Sequence, residues 1–206
     1  MDRNAELRMV AWEVTRSCNL SCVHCRASAE RGPYAGELST EECLRLVDDI
    51  AEFSKPVIIL TGGEPMMRRD IFEIAEYGTR KGLRMVMAPN GTLINEETAR
   101  KIVKSGIKRI SISIDGATRE SHDSFRQVEG AFDGALKGVR LAREAGLEFQ
   151  INTTITGTTM QEISDILKLA TDLGACAHHI FLIVPTGRAR ELRDNDIPPE
   201  EYERIL

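Results

Sequence analysis

Short apolar runs of strand type begin near Met9, Val57, Met85, Ile110, Phe149 and Ile180, and most are followed by apolar residues at helical spacing. Ser39-Thr40-Glu41-Glu42 carries the serine and glutamate of a capping box, and Leu44, Val47, Ile50 and Ala51 then mark one apolar helix face. Ile71, Ile74 and Ala75 begin a second stripe that ends in Lys81-Gly82. Phe132, Ala135, Leu136, Val139 and Ala142 form another, stopped at Gly146, where glycine accepts the left-handed conformation that closes a helix. Ile163, Ile166, Leu167 and Ala170 form a further stripe, stopped at Gly174, and a last helical start runs from Pro198 to Leu206.

Strands that alternate with helices pair in parallel through right-handed crossovers, which leaves an open Rossmann-type sheet or a barrel. Two strands bear on the choice. In Arg109-Ile110-Ser111-Ile112-Ser113-Ile114-Asp115 the isoleucines take one face, and Ser111, Ser113 and Asp115 the other. In Phe149-Gln150-Ile151-Asn152-Thr153-Thr154-Ile155 the polar side carries Gln150, Asn152 and Thr154. A doubly wound sheet is covered on both faces and its strands are apolar on both. A barrel with a wet, ligand-holding interior accounts better for one apolar and one polar face. Edge strands with a solvated face are the competing account.

Composition adds exclusions. The 206 residues are 42% hydrophobic and 29% charged, as in an ordinary globular domain. A net charge of −5 argues against nucleic-acid binding by bulk electrostatics. No apolar run approaches the roughly 18 residues of a membrane span. Met1-Asp2-Arg3-Asn4-Ala5-Glu6 is polar and unlike a secretory signal, so a cytoplasmic location is expected.

The cysteines at 18, 22, 25, 43 and 176 do not resemble a disulfide framework, because three are clustered and two isolated. Cys18-Asn19-Leu20-Ser21-Cys22-Val23-His24-Cys25 follows the strand Val10 to Thr15, on the loop at a strand's C-terminal end, where barrel enzymes place their chemistry. Iron–sulfur cubanes are normally held by four cysteines. With three, one iron stays open to an external ligand, as in catalytic metal sites. A structural zinc with His24 as fourth ligand is the competing reading, but neighbouring residues rarely both reach one tetrahedral metal. Cys43 and Cys176 read as buried small hydrophobes.

The C-x-x-x-C-x-x-C spacing resembles the signature of the radical S-adenosylmethionine (SAM) superfamily, with His24 in its aromatic position. Thr61-Gly62-Gly63-Glu64-Pro65, directly after Val57 to Leu60, resembles that family's GGEP element. The resemblance covers nearly the whole chain. It implies a partial (β/α)6 barrel of α/β class, residues 1–206 forming one core domain. It also implies a 4Fe–4S cluster on Cys18, Cys22 and Cys25 and a SAM molecule held through Gly62, Gly63, Glu64 and Pro65, with Glu64 facing the SAM amino group. Asn90, in Asn90-Gly91-Thr92, matches the family's turn lining the SAM pocket. Ser113, Asp115 and Asn152 match inward polar residues near the ribose, and Arg126 matches an arginine on the SAM carboxylate. Reductive cleavage of SAM then yields a 5′-deoxyadenosyl radical that abstracts hydrogen, so no side chain is assigned as catalytic.

Val10 to Cys18, His24-Cys25-Arg26-Ala27, Met87 to Thr92 and Ala177 to Ala189 are similar to the radical SAM enzymes of the siroheme-dependent haem pathway. The most similar branch oxidatively decarboxylates two propionates of iron-coproporphyrin III to vinyls. Enzymes acting on didecarboxysiroheme or haem d1 precursors, and peptide-modifying maturases, are the alternatives. The implied partners are a small-molecule iron porphyrin and an electron donor such as ferredoxin or flavodoxin, with neither nucleic acid nor membrane. His179, Arg188 and Arg190 are the substrate candidates, with His178 and Arg193 weaker ones, since arginine recognises carboxylates bidentately. The haem group carries a C-terminal extension with auxiliary-cluster cysteines, so a chain ending at Leu206 reads as a partial one.

Overall fold

The computed structural model describes residues 7–195, 197, 200–201 and 203; most of the helix expected from Pro198 to Leu206, and the side chain of Arg193, lie outside the described residues. Six strands, β1 (Met9–Thr15), β2 (Val57–Gly62), β3 (Arg84–Met87), β4 (Arg109–Ser113), β5 (Glu148–Ile155) and β6 (His178–Leu182), form one sheet in sequential order. Every pairing is parallel. A doubly wound sheet reverses its strand order at a switch point. This one never does, so each right-handed crossover lays its helix on the same face, the arrangement of an open (β/α)6 barrel.

The helices are α1 (Thr40–Phe53), α2 (Ile71–Arg80), α3 (Glu96–Lys104), α4 (Arg119–Arg126), α5 (Ala131–Glu144) and α6 (Ile163–Leu173). Ser39 caps α1 through a full capping box with Glu42. Gly146 and Gly174 end α5 and α6 with positive φ. The core lies between the helices and the apolar sheet face: Ile58, Leu60, Met85, Met87, Ile110, Ile112, Ile114 and Ile151 pack against Val47, Ile74, Ala75, Ile102, Val139 and Ile166. The other face holds Ser111, Ser113, Asn152 and Thr154, all only partly buried. Apolar residues thus drive the sheet onto its helices and leave the polar strand positions facing inward. Among the described residues no helix is long and apolar enough to cross a membrane.

Two helices go beyond the periodicity. α3 and α4 are short and bury few apolar residues: Ala99 and Ile102 in one, Phe125 beside His122 and Arg126 in the other. Each begins with a capping box, Asn95 with Thr98 and Thr118 with Ser121. Cys43 is buried in α1 as expected, whereas Cys176 is exposed, because it precedes the edge strand β6.

Candidate active site

A cavity of about 380 Å³ opens at the C-terminal ends of the strands. Its wall combines Cys18, Cys22 and Cys25 from the loop after β1, Gly62 and Gly63 at the end of β2, Asn90 after β3, Ser113 from β4 and Asn152 and Thr154 from β5. Arg126, Arg188, His24 and Phe181 also line it. Residues far apart in sequence meet here because all parallel strands end on the same side of the sheet.

Cys18 and Cys22 are buried and Cys25 partly so. Each sulfur accepts one hydrogen bond. The Leu20 amide donates to Cys18 Sγ at 3.4 Å, the Ala29 amide to Cys25 Sγ at 3.3 Å, and Arg126 Nη1 to Cys22 Sγ at 3.5 Å. Burial pushes the Cys18 thiol up to about 11, with Glu64 and the neighbouring cysteines adding to the rise. A bound cationic centre reverses that balance and holds thiols as thiolates.

Two segments hold this loop in shape. Ser21 and Val23 amides donate to the Arg126 and Phe125 carbonyls at 3.3 and 3.0 Å, which satisfies acceptors left open by the end of α4. From the other side, the Arg188 amide donates to the Cys25 carbonyl at 3.0 Å. Arg188 Nε and Nη1 donate to the carbonyls of Cys22 and Ala29, each at 2.8 Å. Gly187, at φ +57°, presses so closely on the Cys25 and Arg26 carbonyls that a Cβ would collide with both.

Gly62 and Gly63 serve a similar close approach. A Cβ on Gly62 would strike the Thr15 carbonyl, and one on Gly63 the Ser17 and Arg16 carbonyls. The Gly63 and Glu64 amides donate to Thr15 and Ser17 carbonyls at 2.8 Å. The glycines therefore dock the β2 turn onto the start of the cysteine loop as well as lining the cavity. Glu64 is fully buried and does not reach the wall. Its two oxygens accept from the Met66 and Asn90 amides at 3.0 and 2.6 Å, and burial, partly offset by those amides, pushes its carboxyl up to about 7. Pro65, also buried, starts the short 3-10 turn Pro65–Met67.

Asn90 is tied by its side chain to Asn19 at 2.8 Å and to Thr92. Asn19 Nδ2 in turn donates to Thr92 Oγ1 at 2.8 Å. The motifs contain Asn19 and Thr92 but assign them no role; an amide beside the first cysteine and a hydroxyl two residues after Asn90 are the available signals.

Ser113 and Asn152 stand on the wall, and Asn152 accepts from Gln150 Nε2 at 3.0 Å. Asp115 lies behind it, fully buried, and pairs with Arg126 through Oδ2 while Oδ1 accepts from the Thr154 amide at 2.7 Å. Burial opposes the Asp115 charge, but the Arg126 guanidinium with His24, His122 and the Thr154 amide outweighs it and lowers the carboxyl. His24 stacks on Phe125 at 4.4 Å, and burial drops its imidazole to about 4.

Of the substrate candidates, Arg188 reaches the wall. His179 is exposed, paired in register with Asn152 but not itself on the wall, and its Nδ1 lies 3.1 Å from Gln150 Nε2, while His178 Nε2 lies 2.8 Å from Thr153 Oγ1. Arg190 is exposed and stands outside the wall.

The donor set suits a cluster with an anionic co-ligand. Cys18, Cys22 and Cys25 all line the one cavity, which has room for a group larger than a single ion. Arg126 Nε and Arg188 Nη2 are buried at this cavity without a hydrogen-bond partner, as donors awaiting an acceptor.

Comparison with known proteins agrees with this chemistry. The family described as the radical SAM superfamily matches residues 12–170. The AdoMet-dependent heme synthase of Nitratidesulfovibrio vulgaris is 53% identical over 205 residues, covering 100% of this chain and 56% of that protein. The Fe-coproporphyrin III synthase of Methanosarcina barkeri is 40% identical over 198 residues, 96% of this chain and 49% of that protein. The chain thus spans about half the length of the curated relatives it matches. Streptococcus suis SuiB bound to S-adenosylmethionine superposes with a TM-score of 0.77 at 16% identity, covering 97% of this chain and 46% of that one, a likeness of fold.

Proposed function

Because the chain belongs to the radical SAM superfamily, we propose that it is the catalytic core of a haem-biosynthetic enzyme that oxidatively decarboxylates propionates of iron-coproporphyrin III to vinyls. The observation that carries this reading is 53% identity to an AdoMet-dependent heme synthase along the whole chain, against 40% to an Fe-coproporphyrin III synthase.

The family uses a 4Fe–4S cluster and SAM. Bound in this cavity, the pair supplies the carbon radical that removes hydrogen from an unreactive position, here a propionate β-carbon. The protein's part is positioning. Cys18, Cys22 and Cys25 would hold the cluster, and one hydrogen bond to each sulfur orients the three ligands. Gly62 and Gly63 present backbone to the SAM amino group, and Glu64 acts indirectly by fixing the Asn90 amide. Asn90, Ser113 and Asn152 orient the nucleoside through polar contacts along the wall. Arg188, with two of its nitrogens committed to loop carbonyls, offers Nη2 to a carboxylate of SAM or of the porphyrin. His179 and Arg190, both exposed and off the cavity wall, are the further candidates for contact with the porphyrin's carboxylates. A ferredoxin- or flavodoxin-type protein supplies electrons.

The test is anaerobic reconstitution of the full-length protein followed by dithionite, SAM and iron-coproporphyrin III. The expected product has lost two carboxyl groups by mass spectrometry. SAM cleavage with an unaltered porphyrin contradicts the decarboxylase reading, and conversion of didecarboxysiroheme in its place selects the sister reaction.

A further inference from the structure

The three cysteine sulfurs do not receive the same kind of hydrogen bond. Cys18 and Cys25 accept from backbone amides, which every variant keeps, while Cys22 accepts from Arg126 Nη1 at 3.5 Å. That guanidinium is 7% exposed, and Nη2 pairs with Asp115, which is 0% exposed. Its main chain is fixed, because the Ser21 and Val23 amides bind the Arg126 and Phe125 carbonyls and fasten the end of α4 to the cysteine loop, and burial and the Asp115 pair hold the side chain. The result is a fixed positive charge against one ligand sulfur, backed by a fixed negative charge, in a place where little water screens either one.

We propose that the Arg126–Asp115 pair sets the reduction potential of the cluster held by Cys18, Cys22 and Cys25. The inference rests on the radical SAM reading and deepens it by giving Arg126 a positioning role that operates before SAM arrives. Reduction adds an electron to a centre already surrounded by thiolates. A cation and an N–H donor at Cys22 stabilise the added charge and raise the potential, and the carboxylate behind Arg126 limits that rise. The two residues therefore act in opposite senses on the same quantity. A purely structural pair acts differently, since loss of either partner harms the same fold.

The experiment is an EPR-monitored redox titration of the reconstituted chain without SAM, on wild type, Arg126→Gln, Arg126→Lys and Asp115→Asn. Iron content and far-UV circular dichroism are read beside it. Arg126→Gln is expected to lower the potential by a tenfold change in the reduction equilibrium, about 59 mV for one electron. Arg126→Lys, which keeps the charge, falls between it and wild type. Asp115→Asn raises the potential. Equal potentials in wild type and Arg126→Gln, or shifts of the same sign in Arg126→Gln and Asp115→Asn, overturn the proposal. If Arg126→Gln loses its iron, Asp115→Asn and Arg126→Lys decide, and wild-type potential in both overturns it. Normal 5′-deoxyadenosine formation by wild type in that case leaves the radical SAM reading standing; a wild-type chain that takes up no iron overturns both.

Discussion

Cys22 and Cys176 separate two kinds of cysteine by surroundings. The first is buried on the cavity wall with an arginine at its sulfur, and the second is exposed beside the edge strand. Cys22→Ala is expected to abolish iron uptake on reconstitution, while Cys176→Ala retains it; equal loss in both would mean that the ligands are misassigned. His122 supports a pH prediction of definite sign. Burial, with Arg126 adding, depresses its imidazole to about 4, and its Nδ1 accepts from the Asp115 amide at 3.2 Å. The folded chain therefore holds this histidine neutral where the unfolded chain protonates it. Its contribution is complete above the unfolded value of 6.5 and is lost as pH falls towards about 4. Relative to His122→Asn, which keeps an acceptor, wild type should lose about 3 kcal/mol across that window in urea unfolding. Parallel pH profiles for the two would contradict it. The cysteine spacing was legible in the chain because local spacing brings the thiols together. The Arg126–Asp115 pair behind Cys22 was not, since it joins residues distant in sequence, and the resemblance assigns one to the SAM carboxylate and the other to the surroundings of the ribose.

Elements meet the cysteine loop at backbone level, which explains glycine where side chains would seem more useful. Gly187 is the sharpest case, because its Cα sits against the Cys25 and Arg26 carbonyls and its neighbour Arg188 binds three more carbonyl contacts on the same loop. Gly187→Ala is expected to push this clasp off the loop and speed cluster loss to a chelator at least tenfold, with little change in far-UV circular dichroism. Unchanged cluster lifetime would show that the clasp is dispensable. Strands and the longer helices were readable from period alone, since Val47, Ile74, Val139 and Ile166 recur on faces that the sheet buries. α3 and α4 escaped that reading because short polar helices bury too few residues to show a stripe. Their capping boxes were the remaining signal. For α4 the omission concealed the element that fastens the loop, as its two terminal carbonyls are the acceptors for Ser21 and Val23.

At the scale of the molecule, sequential strand order is what converges distant residues on one cavity, and the isoleucine-rich face of the sheet is what holds that order. Ile112→Ala, at a position 0% exposed in the central strand β4, is expected to cost about 2–5 kcal/mol in urea unfolding of the metal-free chain. A cost below 1 kcal/mol would place the core elsewhere. The alternation of serine, asparagine and threonine on β4 and β5 already implied the polar interior, because a two-residue period maps directly onto the faces of a strand. The contents of that interior follow less directly. Glu64 and Asp115 read as wall residues from motif and alternation, and both lie behind the wall, engaged with amides or with arginine. Burial at a strand end depends on what the loops above it do, and period carries no information about that. The central claim is that three cysteines and this cavity make a radical SAM core. Its most direct measurement is 5′-deoxyadenosine formed from SAM and dithionite by the anaerobically reconstituted chain, alongside iron content. The account predicts ~4 irons per chain and 5′-deoxyadenosine that disappears in Cys22→Ala; no 5′-deoxyadenosine from an iron-loaded wild type would contradict it.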